Sequence, residues 1–250
     1  MKNFVILIPT FNESSTIVEQ LKKLEIFKRS CVDEISVLVI DDNSPDETAD
    51  LVDNLHLPWV EVLRRPAKNG LGAAYRAGFA KVLKTDSYTH VVTMDADGSH
   101  RVEDLSALIV AVRPGRSITL GTRWIPGGSV INWPKSRQLL SKTGTRYAKF
   151  ALKINLNDLT GGYRIYSVEL LNALKLKDMQ ATGYCFQIEM AMAADLAGAV
   201  ATEVPITFVE RINGVSKMTK AIVLEALIQI TRWGVVRRLR PNADKLHYVK

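Results

Sequence analysis

Residues 91–100 read VVTMDADGSH. Four residues suited to a buried strand run into two carboxylates, Asp95 and Asp97, separated by one alanine. Asp and Gly are ordinary turn formers, so a plain loop explains the composition. It supplies no obvious cation for either carboxylate. Hard divalent ions take carboxylate oxygens and bridge them to substrate phosphates, so a metal on a phosphorylated ligand is the second reading. The stretch is too short to choose by itself.

The same arrangement recurs along the chain. Strand-like runs fall at 4–8, 35–40, 60–63, 90–94, 118–121 and 204–209, and most are nearly continuous apolar stretches, as expected of strands buried on both faces. Helix-like segments at 14–28, 45–55, 72–83 and 102–112 separate them. The alternation predicts an α/β fold with a mostly parallel central sheet. Polar clusters sit at the strand ends: Pro9-Thr-Phe-Asn-Glu13, Asp41-Asp42 and Asp95-Ala96-Asp97. Ligands of open α/β sheets bind outside the carboxyl ends of the strands, so these clusters are expected to share one crevice.

In VLVIDDNSPDET (37–48), Ser44 can be an N-cap, Pro45 the first helical residue and Glu47 the reciprocal partner of a capping box. That leaves Asp41 and Asp42, whose burial at a strand end requires a donor or a cation. Lys68-Asn-Gly70-Leu-Gly72 through Gly78 matches neither a dinucleotide fingerprint nor a phosphate loop. Its glycines are expected to make a turn and let a helix pack closely.

At 250 residues, 47% hydrophobic and 24% charged, the chain is a folded domain, or one with a modest extension, and not a disordered segment. Cys31 and Cys185 are far apart and in no metal or redox spacing, as in a cytosolic protein with reduced thiols. The start, MKNFVILIPTF, has neither the long apolar core nor the cleavage site of a signal peptide. The most apolar helical candidate, 221–236, is broken by Glu225 and Arg232, so membrane contact is expected only at the surface.

The net charge of +7 is unevenly placed. Residues 211–250 hold nine Lys or Arg against Glu225 and Asp244, and 105–157 hold nine basic residues and no acidic one. Such blocks point to an anionic partner. In 134–154, Leu139, Leu140, Thr143, Tyr147, Phe150, Ala151 and Ile154 recur at helical spacing, with Lys142, Arg146, Lys149 and Lys153 on another face. In 219–238, Ile222, Val223, Ala226, Leu227, Ile230 and Trp233 form a stripe followed by Arg237, Arg238 and Arg240. Both helices suit either packing under a solvated face or docking on a membrane surface.

The ordered set Ile8-Pro-Thr-Phe-Asn-Glu13, Asp41-Asp-Asn-Ser-Pro-Asp46, Gly70-Leu-Gly72, Met94-Asp-Ala-Asp97 with Ser99-His100, Gly121-Thr-Arg123, Leu159-Thr-Gly-Gly-Tyr-Arg164, Gly183-Tyr-Cys-Phe-Gln-Ile-Glu189 and Glu203-Val-Pro-Ile through Arg211 to Lys217 resembles the polyprenol-phosphate (dolichol-phosphate) mannosyltransferases of glycosyltransferase family 2. The resemblance runs from about Phe4 to Lys217. It implies a GT-A, Rossmann-like catalytic domain over 1–217, with 218–250 a basic amphipathic helix and tail that meets a membrane.

By position, the resemblance implies Pro9, Phe11, Glu13, Ile40 and Asp42 around the nucleotide, and Asp95, Ala96 and Asp97 as the Asp-x-Asp motif for the nucleotide sugar. Asp97 and Ser99 would meet a Mg²⁺ or Mn²⁺ ion; some relatives carry Gln in place of Ser99, and a hydroxyl is the shorter, weaker ligand. Arg123, Arg211 and Lys217 would approach the diphosphate or the acceptor, and Arg123, Arg137 and Ser141 the acceptor phosphate. The resemblance implies that Asp95, Asp97 and Arg123 carry catalysis. The implied reaction is inverting transfer of mannose from GDP-mannose to a polyprenyl phosphate. The implied setting is the cytoplasmic face of a membrane, with a membrane-anchoring partner protein as a second route to the lipid and no nucleic-acid partner.

Three rival readings bear on the same residues. A family member using UDP-glucose or UDP-GlcNAc would keep the same fold and motif. A non-catalytic anion- or membrane-binding protein would leave Asp41, Asp42, Asp95 and Asp97 unexplained. A dehydrogenase would need the glycine fingerprint this chain lacks.

Overall fold

The computed structural model describes residues 1–181, 183–210 and 220–250. The apolar runs form β1 (Asn3–Thr10), β2 (Glu34–Asp41), β3 (Val60–Arg64), β4 (His90–Thr93) and β5 (Ser117–Thr122), as expected. The run at 204–209 divides instead. Its first part ends β8 (Val200–Pro205) in the main sheet, and β9 (Thr207–Val209) leaves to pair in parallel with β6 (Ser129–Ile131). A short strand that the sequence reading left unassigned, β7 (Arg164–Ser167), inserts antiparallel between β4 and β5. The seven-stranded order is β3-β2-β1-β4-β7-β5-β8.

Period-2 alternation explains why β1 is apolar throughout. Val5 and Leu7 face a core layer built by α3 (Leu71–Val82) and α7 (Gly183–Leu196), whereas Phe4, Ile6 and Ile8 face α1 (Ile17–Ser30) and α4 (Leu105–Val110). Gly78 lets α3 lie close to the sheet, since a Cβ there would come within 2.5 Å of Ile40 Cδ1. Gly70 turns the chain into α3 with φ 85°. The glycines therefore serve the turn and the packing.

The expected capping box does not form. Helix α2 runs Thr48–Asp53, and Glu47 stands before it at φ 60°. Ser44 instead donates its hydroxyl to Asp41 Oδ1 (2.6 Å) and its amide to Oδ2 (2.9 Å). A carboxylate three residues upstream wins the hydroxyl, and Asp46 Oδ1 takes over by accepting the Thr48 amide at 3.2 Å.

Helix α5 (Lys135–Leu152) buries Ser141, Thr145, Ala148, Ala151 and Leu152, while Leu139 and Phe150 of the expected stripe are 64% and 75% exposed. It lies parallel to α8 (Lys220–Leu239): Tyr147 bonds Thr231, and Arg238 donates to the Phe150 carbonyl at 2.9 Å. Gly234 makes that closeness possible, because a Cβ there would sit 2.7 Å from the Ala151 carbonyl oxygen. Ile230 and Trp233 of the α8 stripe enter the core. After α6 (Val168–Ala173) and α8, helix α9 (Pro241–Tyr248) returns the chain to the domain, where Val249 bridges Leu174. Among the described residues, no helix is long and apolar enough to cross a membrane.

Candidate active site

Strand β1 pairs in parallel with both β2 and β4, so the carboxyl ends of all three open at one edge. Chain order reverses there, with β2 and β3 on one flank of β1 and β4 on the other. This is the switch point at which an α/β sheet opens a crevice.

On the β1–β2 side the two aspartates find donors within the fold. Asp41 accepts from Thr10 Oγ1 (2.8 Å) and from Ser44. Asp42 forms an ion pair with Arg65; burial pushes its carboxyl up, and the Arg65 charge opposes that rise. Lys68 Nζ lies 3.8 Å from the Phe11 ring centroid. Thr16 donates to Glu13 Oε2 at 3.2 Å. Pro9 stands opposite Ile40 in the β1–β2 register, and Ile40 is wholly buried against α3. The Ile40 side chain is therefore core.

On the β4 side, Gly98 turns the chain with φ 75° and sends Ser99 back to Asp97. Ser99 donates to Asp97 Oδ1 through both its amide (3.0 Å) and its hydroxyl (2.6 Å). Ala96 is buried in the core layer that covers α1. His100, 2% exposed, accepts the Asp95 amide on Nδ1 at 3.0 Å. That bond places the proton on Nε2, which lies 3.8 Å from Asp95 Oδ2. The ring stacks on Tyr163, centroids 4.9 Å apart.

A cavity of about 410 Å³ starts at this turn. Asp95, Asp97, Ser99, Arg123, Arg137 and Ser141 are among its polar lining, and Leu140, Tyr147, Val223, Ala226, Leu227 and Ile230 among its apolar and aromatic lining. The fold thus brings the motif carboxylates together with the expected acceptor-side residues. Pro9, Phe11, Glu13, Ile40 and Asp42 stand at the same sheet edge but not on this cavity wall. Arg211 and Lys217 lie outside the described residues.

Arg123 is less available than its sequence suggested. Its Nε and Nη2 clasp Asp158 at 2.7 and 2.8 Å, and Nη2 also donates to Thr160 at 2.9 Å. Burial would raise the Asp158 carboxyl, but the Arg123 charge and hydrogen bonds, with the Arg164 charge, hold it below the ordinary range. Arg123 therefore fixes the 158–162 loop as much as it charges the cavity. Arg137 forms an ion pair with Glu210, its guanidinium 4.3 Å from the Trp133 ring. Ser141 Oγ accepts the Trp124 indole at 3.3 Å.

Sequence reasoning had assigned no role to His100, Trp133, Asp158, Thr160 or Glu210. His100, directly after the acidic turn, and Thr160, within Leu159-Thr-Gly-Gly-Tyr-Arg164, carried local signals.

A mostly parallel α/β sheet with an acidic pair beyond a central strand at its switch point is an architecture suited to a nucleotide-sugar transferase. The glycosyl transferase family 2 model matches residues 5–175, and the chain belongs to that family and is a glycosyltransferase. It is 43% identical over 238 residues to polyprenol monophosphomannose synthase of Mycolicibacterium smegmatis, covering 94% of this chain and 88% of that protein. It is 44% identical over 234 residues to undecaprenyl-phosphate mannosyltransferase of Micrococcus luteus, covering 93% and 94%.

Solved structures confirm the GT-A fold. Mannosyl-3-phosphoglycerate synthase from Rubrobacter xylanophilus superposes with a TM-score of 0.67 at 18% identity, covering 97% of this chain and 75% of that one. Glucosyl-3-phosphoglycerate synthase from Mycobacterium tuberculosis, in complex with Mn²⁺, UDP and glucosyl-3-phosphoglycerate, gives 0.64 at 18% identity, covering 95% and 80%.

Proposed function

We propose that this protein transfers mannose from GDP-mannose to a polyprenyl monophosphate, with inversion at the anomeric carbon. The mixed lining of the cavity carries the reading. Its carboxylates and guanidinium groups suit a sugar donor and a phosphate head, and its apolar and aromatic side chains suit a hydrocarbon chain. The names of both relatives agree with that acceptor and that sugar.

In the step proposed, a phosphate oxygen of the acceptor forms a bond to the anomeric carbon. The bond from that carbon to the nucleoside diphosphate breaks, and the diphosphate leaves with the electron pair. A phosphate monoester, with a second pKa of about 6, is already largely ionised at neutral pH, so no strong base is needed. Arg137 and Ser141 would hold the acceptor phosphate. Arg123, already paired with Asp158, would orient the wall beside it. Pro9, Phe11, Glu13 and Asp42 would surround the nucleotide, Ile40 contributing only backbone, with Arg211 and Lys217 meeting the diphosphate.

A Mg²⁺ or Mn²⁺ ion fits the donor set. Asp95 and Asp97 offer hard oxygens on the cavity wall, and no group of three or more His, Cys, Asp or Glu gathers into a cage among the described residues. An ion shared between a carboxylate and substrate phosphates matches such a site. Asp97 would hold it, with Ser99 steadying that carboxylate through its 2.6 Å bond. When bound, the ion would stabilise charge on the leaving diphosphate as a Lewis acid.

The membrane reading rests on the outward face of α8. Ile230 and Trp233 pack inward, yet Leu224, Ile228, Val235 and Leu239 on the other side are 59%, 62%, 47% and 75% exposed. Exposed Lys142, Arg146, Arg232 and Arg240 accompany them. An apolar stripe with a basic border suits an anionic bilayer surface, which would place the protein peripherally on a cytoplasmic face with 218–250 as its docking element.

The test incubates the protein with a polyprenyl phosphate and, in parallel, GDP-mannose, UDP-glucose or UDP-GlcNAc, with and without Mg²⁺ or Mn²⁺. Sugar entering the organic phase is measured. Metal-dependent transfer from GDP-mannose alone is expected; transfer only from a UDP-sugar would replace the donor. Ile228→Lys should weaken flotation with anionic liposomes, and unchanged flotation would leave α8 to a protein partner.

A further inference from the structure

Helix α5 holds a glycine that the fold does not require. Gly144 stands in the middle of its 18 residues, where glycine is less favourable than alanine because it orders the most flexible backbone. The other described glycines have a local reason to be glycine. Some have a positive φ, as at Gly70 and Gly98, and the rest have an atom close to where a Cβ would sit, as at Gly72, Gly78 and Gly234. Gly144 has neither: its φ is outside the left-handed region, and a Cβ built on it would meet no atom of the described residues within 4 Å.

That open space adjoins the cavity. Gly144 lines it together with Arg137, Ser141 and Tyr147 of α5 and with Val223, Ala226 and Leu227 of α8. Steps of three and four residues put the α5 positions on one face. Gly144 follows Ser141 by one turn and Arg137 by two, which is about 10 Å along the axis. The helices close on each other further along, where a Cβ on Gly234 would sit 2.7 Å from the Ala151 carbonyl oxygen and Tyr147 bonds Thr231. At Gly144 they leave a lane walled on one side by bare backbone. Leu140 and Leu227, both in its lining, are each 39% exposed, so the lane reaches the surface beside the exposed Leu224 and Ile228 of α8.

We infer that Gly144 is a specificity residue for the acceptor's hydrocarbon chain: its missing side chain lets the first isoprene units pass over the α5 backbone, between α5 and α8, from a phosphate at Arg137 and Ser141 to the surface. The inference rests on the polyprenyl-phosphate reading of this cavity and adds the residue that sets how wide a chain can leave the phosphate. Every isoprene unit carries a methyl branch and needs more width than a straight alkyl chain. A single carbon gained or lost in an apolar pocket is enough to change discrimination about tenfold or more. The apolar side chains of α8 then bury the chain and supply affinity.

The experiment compares wild type with Gly144→Ala and Gly144→Leu by thermal unfolding, by KM for farnesyl phosphate and by KM for GDP-mannose. Tm should rise by about 2–4 °C in Gly144→Ala, since alanine is the better helix former and meets no neighbour. KM for farnesyl phosphate should rise in the order Gly, Ala, Leu, reaching about tenfold or more at Leu, with KM for GDP-mannose unchanged. Farnesyl phosphate carrying a diazirine on its chain should label α5 and α8 in wild type and lose that labelling in Gly144→Leu. A wild-type KM for farnesyl phosphate and undiminished labelling in Gly144→Leu would overturn the inference. A lower Tm in Gly144→Ala would give the glycine to the packing and overturn it too. Continued mannose transfer would in both cases leave the transferase reading intact. A wild-type protein that transfers sugar to no prenyl phosphate would overturn that reading, and this inference with it.

Discussion

His100 holds the backbone of Asp95 with one ring nitrogen and faces its carboxylate with the other. Asp95 N–H donates to Nδ1 at 3.0 Å, and Nε2 lies 3.8 Å from Oδ2. A five-residue turn is closed by a side chain that packs on Tyr163, so the orientation of the motif carboxylate depends on the aromatic core beneath it. Replacing His100 with Phe keeps the stack and removes both polar contacts. kcat should fall on the order of ten- to a hundredfold, as for other orienting partners. Asn at the same position, which can still accept the Asp95 amide, should recover part of the loss. Equal rates for wild type and the Phe variant would remove His100 from the mechanism.

The Arg123–Asp158 pair should matter more to the fold than to charge in the cavity. Both members are almost fully buried, at 5% and 0% side-chain exposure. Asp158→Asn leaves a buried guanidinium without its counter-ion and should destabilise the protein by about 3–5 kcal/mol. The folded Asp158 carboxyl titrates below its ordinary value of 3.8. Its stabilisation is therefore complete above that value and is lost as pH falls through the lower folded pKa. Denaturant melts of wild type should show an acid loss of stability below about pH 4, and the Asn variant should lack that component.

Glu210 occupies the guanidinium proposed for the acceptor phosphate. It forms an ion pair with Arg137 on the cavity wall, where the proposed acceptor phosphate would bind. Glu210→Gln should lower the KM for polyprenyl phosphate several-fold, because the phosphate no longer displaces a carboxylate. Arg137→Ala should raise the same KM with little change in that for the nucleotide sugar. A Glu210→Gln enzyme with an increased acceptor KM would show instead that Glu210 helps to shape the site.

His90 gives a pH signature away from the cavity. Burial, reinforced by the Lys2 charge, lowers it from 6.5 to about 4, and its ring stacks on Phe4 at 5.0 Å. Between those values the unfolded chain binds a proton that the folded protein refuses, so stability declines as pH falls from 6.5 to about 4. The decline is bounded at about 3 kcal/mol. His90→Phe, which can keep the stack, should flatten unfolding free energy across that window; an unchanged slope would assign it to other groups.

The metal reading has its own check. Asp97→Ala should abolish transfer while preserving Tm, since the Asp97 contacts with Ser99 are local to the turn. Chelation of wild type should give the same loss, reversible on adding Mg²⁺ or Mn²⁺. Turnover near wild type in Asp97→Ala would exclude the assigned role.

Much of this protein was set by short-range pattern. The strands β1, β2, β4 and β5 were legible because each is largely a run of apolar residues whose burial on both faces needs no knowledge of its neighbours, and the edge strand β3 because its valines alternate with Glu61. The acidic turn at 95–97 was legible because strand ends at a switch point converge whatever packs behind them. The short β7 was not, since Arg164–Ser167 becomes a strand only by filling the gap between β4 and β5. Nor did helical spacing on α5 and α8 tell the inner face from the outer, because α8 is apolar on both sides and its partner decides which is covered. The pairing of charges lay furthest from view. Arg123 meets Asp158 across 35 positions and Arg137 meets Glu210 across 73. Residue type places a guanidinium in the chain, but only tertiary contact determines whether its charge is spent on the fold or turned toward a substrate.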